Sequence, residues 1–82
     1  MVDEVTLKNM AFCPDQYEQV ICYHDQDENT RIVHFRYKYR VFRFEAKKIN
    51  IQGNEETTVG PLEELDDHEL RSLIAQFHHI HV

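Results

Sequence analysis

The stretch Arg31-Ile32-Val33-His34-Phe35-Arg36-Tyr37-Lys38-Tyr39-Arg40-Val41-Phe42-Arg43-Phe44-Glu45-Ala46-Lys47-Lys48 decides how this chain folds. From His34 to Val41 the residues alternate. Phe35, Tyr37, Tyr39 and Val41 share one face, and His34, Arg36, Lys38 and Arg40 share the other. A period of two is the mark of a strand with one face buried. The phase then reverses, and Phe42, Phe44 and Ala46 take the even positions. A two-residue apolar step such as Val41-Phe42 is how a β-bulge looks in sequence. No Gly, Pro, Asn or Asp interrupts the stretch, so it reads as one long, bent strand and not as a tight hairpin. Ile49 and Ile51 extend it as far as the break at Gly53-Asn54.

Working outward, the segment from Gln16 to His24 has the β-branched and aromatic content of a second strand. The polar run from Asp25 to Thr30 reads as the loop that joins the two, because Asp and Asn bond their own backbone in turns. The first dozen residues are ambiguous: Val5 and Leu7 alternate like a strand, which Met10 and Phe12 could continue. Cys13-Pro14 ends whichever element precedes it, since the residue before proline is disfavoured in the helical region. The C-terminal segment reads as a helix. Asp66 is a good N-cap with Glu69 three residues on, and Leu65 and Leu70 have the spacing of a hydrophobic staple. Leu70, Leu73, Ile74, Phe77 and Ile80 then form one apolar stripe. Pro61 is placed to open a short turn over Leu62 to Leu65. The expected fold is α+β: an antiparallel sheet of three or four strands with the C-terminal helix packed on its apolar face, in a single domain over residues 1–82.

The same stretch dominates the electrostatics. The 82 residues carry a net charge of −6, and 41% are hydrophobic and 29% charged, as suits a soluble globular chain and not a disordered one. Between Arg31 and Lys48 seven basic residues face a single acid, Glu45, for a net +6. The other 64 residues hold only Lys8 and Arg71 against fourteen acids, a net −12. Two arrangements satisfy this pattern: basic strand and acidic flanks pair inside the fold, or opposite faces of the domain carry opposite sign. No apolar run approaches the roughly 18 residues of a membrane span, and no basic-then-apolar leader opens the chain, so the expected location is cytoplasmic with no membrane partner.

Catalytic and metal chemistries find no signature. Cys13 and Cys22 form no Cys-x-x-Cys pair and read as reduced, apolar-like thiols. Six histidines are many for this length, with His78, His79 and His81 at the C-terminal end and His68 earlier. No His-Glu-x-x-His or paired zinc-ligand spacing occurs. Asp25-x-Asp27-x-Asn29 opens like a calcium loop, but Thr30 and Arg36 stand where Gly and a bidentate Glu are required. Glu63, Glu64, Asp66, Asp67 and Glu69 suit a helix N-terminus. Gly53 and Gly60 form no phosphate-binding loop. No cofactor, metal or enzymatic activity is therefore expected.

The expected function is a small acidic protein-interaction module, a regulator or inhibitor that docks on a larger protein or self-associates as a homo-oligomer. Arg36, Lys38, Arg40 and Arg43 on the basic strand, with Glu63, Glu64 and Asp67 on the acidic flank, are the candidate partner-binding residues. The alternative is a nucleic-acid-binding domain using the basic strand 31–48 for phosphate contacts. It is disfavoured because alternation puts Phe35, Tyr37 and Tyr39 opposite the cations, whereas a stacking platform needs both on one face. Histidines near their ordinary pKa of about 6.5 would offset much of the negative charge below neutral pH, making charge-driven association pH-sensitive.

Overall fold

The computed structural model describes residues 2–81, with side chains described as far as Gln76. The chain runs as α1 (Glu4–Phe12), a 3-10 turn (Pro14–Gln16), β1 (Val20–Asp25), β2 (Thr30–Tyr37), β3 (Arg40–Ile51), β4 (Asn54–Val59), β5 (Glu63–Glu64) and α2 (Asp67–His81). The strands form one antiparallel sheet in the order β1-β2-β3-β4, with β5 also paired to β3. Among the described residues, no helix is long and apolar enough to cross a membrane.

The stretch expected to be one bent strand is a hairpin. β2 and β3 pair from Thr30↔Lys47 to Tyr37↔Arg40, leaving only Lys38 and Tyr39 in the turn. Both have positive φ, 50° and 67°, as a type I′ turn demands. This turn also accounts for the phase reversal. With two residues in the loop, odd-numbered residues of β2 lie opposite even-numbered residues of β3, so Val33 meets Phe44 and Phe35 meets Phe42 on one face. The reversal at Val41-Phe42 is the return strand, not a bulge. The sheet's irregularity lies instead in β1, between Val20 and Cys22. A second two-residue turn, Gln52-Gly53 with φ 53° and 83°, connects β3 to β4. The outer edge of β3 is shared: Ala46 to Ile51 pair with β4, and Phe42 and Arg43 pair with β5. β5 replaces the expected turn at Leu62–Leu65, and Leu65 N–H donates to the Val41 carbonyl at 2.9 Å.

The core also departs from expectation. The aromatic face of the hairpin is covered by the N-terminal helix: Leu7, Met10 and Ala11 of α1 pack with Val33, Phe35, Phe44 and Ala46. Phe35 stacks on Phe42, with ring centroids 5.8 Å apart, and meets Phe44 edge-on at 5.7 Å. The alternation of Val5 and Leu7 misleads, because Val5 is exposed and the buried set Leu7, Met10 and Ala11 follows helical spacing. Asp3 caps α1, its side chain accepting from Thr6 N–H at 2.8 Å.

The C-terminal helix starts where its capping residues indicate, with Asp66 Oδ1 accepting from Glu69 N–H at 2.8 Å. It flanks the opposite face of the sheet, and none of its described side chains belongs to the core cluster. That second face is not purely polar. Ile32 and Leu65 are buried there and Val41 is half-buried. Leu70 and Leu73 are half-buried and Ile74 is exposed; Phe77, Ile80, His78, His79 and His81 lie outside the described side chains.

Candidate functional site

Four of the seven basic residues between Arg31 and Lys48 pair with carboxylates of the same chain. Arg31 forks onto Asp25 (Nε–Oδ1 2.6 Å, Nη2–Oδ2 3.2 Å), donates from Nη1 to the Ala11 carbonyl at 2.7 Å, and lies over the Tyr23 ring. Arg40 pairs with Glu64 at 3.5 Å, and Lys48 with Glu55 at 3.6 Å. Arg43 bridges two elements, donating to Glu63 Oε2 of β5 at 2.7 Å and to Glu69 Oε2 of α2 at 2.8 Å. The two carboxylates hold the Arg43 guanidinium pKa above its ordinary value, and Asp25 does the same for Arg31.

The candidate partner-binding residues therefore divide. Arg40, Arg43, Glu63 and Glu64 are brought together, but they engage one another across the β3–β5 ladder. Arg36, Lys38 and Asp67 are exposed and have no ion pair among the described residues, and the same is true of Lys47.

Of these, Arg36 and Lys38 lie at the β2–β3 turn, whereas Lys47 is at the far end of the hairpin and Asp67 begins α2. Tyr39 has 103% relative exposure, so its ring contacts nothing in the fold. It is held there by a backbone conformation that costs a non-glycine residue roughly 1–2 kcal/mol. Lys38 beside it is also left-handed, and its ammonium sits 5.3 Å from the centre of the half-buried Tyr37 ring. Arg36 and Arg40 flank the tip on the two strands. The result is an aromatic and cationic knob. Alternation through a continuous strand puts Tyr39 on the apolar face with Phe35. Only the turn moves it out.

On the α2 side of the sheet lies a groove of about 540 Å³. Cys22, His24, Ile32 and His34 come from β1 and β2, Arg43 and Leu65 from its floor and edge, and His68 and Leu73 from α2. Cys22 Sγ is 3.9 Å from His34 Nδ1. Burial pushes the Cys22 thiol pKa up, and burial, reinforced by Arg43 and His24, pushes that of His34 down. Both shifts favour the uncharged forms, a neutral thiol beside a neutral imidazole.

Fold and surface together define an α+β domain with a two-sided antiparallel sheet, one helix closing its core and a projecting aromatic-basic hairpin. No protein-family model matches the chain, and comparisons with curated proteins and with solved structures find no match either.

Proposed function

We propose that this chain is a non-enzymatic protein-interaction module, a small regulator that docks through the β2–β3 hairpin tip onto an acidic, apolar-lined pocket of a larger protein. Tyr39 carries the reading: a fully exposed aromatic ring presented on a turn whose two residues are both left-handed and neither glycine nor asparagine. Local strain without a structural return is characteristic of positions kept for binding. Tyr and Arg are also the residue types that anchor protein interfaces. Arg36 and Lys38 supply steering charge toward a negative partner. Arg40 and Arg43 are engaged by carboxylates, which leaves fewer cations for a phosphate backbone and supports a protein partner over nucleic acid.

The test compares the native chain with Lys38→Asn/Tyr39→Gly, which keeps the hairpin and removes the knob. Proteins co-purifying from the source cells are identified, and the partner is purified and titrated against both forms. The reading requires saturable binding by the native chain and at least a tenfold loss in the variant. Equal affinity of the two forms refutes it. Steeply salt-dependent binding to single-stranded RNA or DNA, without a protein partner, would replace it by the nucleic-acid alternative.

A further inference from the structure

The groove between the sheet and α2 gathers soft and borderline metal donors that lie far apart in sequence. In the β1–β2 ladder Cys22 stands directly opposite His34, and His24 stands opposite Ile32. Cys22 and His24 are two residues apart on one strand, so both share the face of His34. His68 of α2 lines the same groove from above. A tetrahedral zinc ion with one sulfur and one imidazole ligand sets those two donor atoms about 3.6 Å apart, from bond lengths of about 2.3 and 2.05 Å. Cys22 Sγ and His34 Nδ1 are 3.9 Å apart. This pair already has nearly the spacing of two corners of such a site.

The charge of the groove points the same way. Its described lining holds three carboxylates, Glu45, Glu63 and Glu69, against the single guanidinium of Arg43, a formal −2 with the histidines neutral. An anion is disfavoured there and a divalent cation is favoured. Thiol and imidazole donors select zinc-like ions over calcium or magnesium.

We propose that this groove is a binding site for a divalent transition-metal cation of the zinc type, held by Cys22, His24 and His34 with His68 as the fourth ligand from α2. Among the described residues no three donors are already gathered around one point. Filling the site takes rotation of His24 and His68, both exposed side chains, toward the Cys22–His34 pair. Binding displaces the Cys22 thiol proton, forms the metal–sulfur bond and draws α2 onto the sheet.

The experiment uses the full chain without an affinity tag, stripped with a chelator and titrated with Co²⁺ and then with Zn²⁺. One equivalent of Co²⁺ should give tetrahedral d–d bands and a thiolate-to-cobalt charge-transfer band, which Zn²⁺ abolishes. Cys22→Ser should remove the charge-transfer band, and His34→Gln and His24→Gln should each weaken binding more than ~10-fold. His24 is exposed, so the last variant separates ligation from folding. Cys13→Ser and the combined His78→Ser/His79→Ser/His81→Ser variant should bind as the native chain does. Absence of a charge-transfer band, its survival in Cys22→Ser, or loss of binding in the C-terminal histidine variant overturns the proposal.

Discussion

Replacing Lys38 and Tyr39 by the residues their turn prefers should make the protein more stable. Both positions have φ between 50° and 67°, a region costing non-glycine residues roughly 1–2 kcal/mol each. Tyr39→Gly removes that cost, and Lys38→Asn removes part of it because asparagine tolerates the left-handed region. Together they relieve about 2 kcal/mol. Two losses oppose the gain. Glycine loosens the unfolded chain at a cost of about 0.4–1 kcal/mol. Removal of Lys38 forfeits its exposed contact with the Tyr37 ring, about 0.5 kcal/mol. Tyr39 contributes no packing to lose. The net gain is about 1 kcal/mol, or ~4–8 °C in Tm for a domain of this size. Urea and thermal unfolding followed by circular dichroism measure it. An unchanged or lower midpoint at constant m-value would show that the turn is not the strained element, and the argument for a retained binding knob would fall with it. Gln52→Asn, at the other left-handed turn, provides a matched control that should stabilise without touching the hairpin tip.

Further outcomes follow from the core, the tether and the caps. Met10→Ala, in the buried face of α1, should cost about 2–4 kcal/mol in urea unfolding, whereas Ile74→Ala on exposed α2 should stay within ~0.5; the reverse ranking would move the core to the other face. Arg43→Gln should raise hydrogen exchange in α2 while β2 and β3 keep their protection, because Arg43 ties Glu69 to the sheet; unaltered α2 exchange would show the tether to be idle. Stability should also fall in acid. The hydrogen bonds from Thr6, the Arg31 fork and Asn29 N–H hold the carboxyls of Asp3, Asp25 and Asp27 below their ordinary range. Their contribution is full above the unfolded carboxyl pKa of about 3.9 and is lost as pH drops through the lower folded values. Thermal unfolding from about pH 5 down to about pH 2 should show this decline, less steeply in Asp27→Asn; parallel profiles for both would discard that carboxylate as a contributor.

Local chemistry was legible in the sequence, and pairing was not. Asp66 and Glu69 mark the start of α2, and the alternation from His34 marks β2, because capping and strand amphipathicity act between near neighbours. The turn at Lys38-Tyr39 was hidden because its residues carry none of the usual signals, although the phase reversal three residues later recorded it. Helix α1 was obscured by an exposed Val5 that mimics strand alternation with Leu7. The Cys22–His34 contact follows from a ladder register twelve residues wide, which no motif spacing reports. The mutual engagement of Arg43 with Glu63 and Glu69 likewise depends on β5, two glutamates with little intrinsic preference for a strand.

The placement of α1 over the hairpin's aromatic face bears on how the chain acquires its fold during synthesis. The helix leaves the ribosome before the hairpin, yet the surface it covers, Phe35 and Phe44 with Ala46, is complete only once Ala46 has emerged. The hairpins can zip locally on emergence, while α1 must wait for a docking site distant in sequence. During that interval Leu7, Met10 and Ala11 stand uncovered on the nascent helix, an apolar stripe that invites association between chains. Deleting the chain through Leu7 would leave Phe35 and Phe44 without that cover after the sheet has formed. The expected consequence is aggregation during expression, which a fusion partner placed after the C-terminus would not cure.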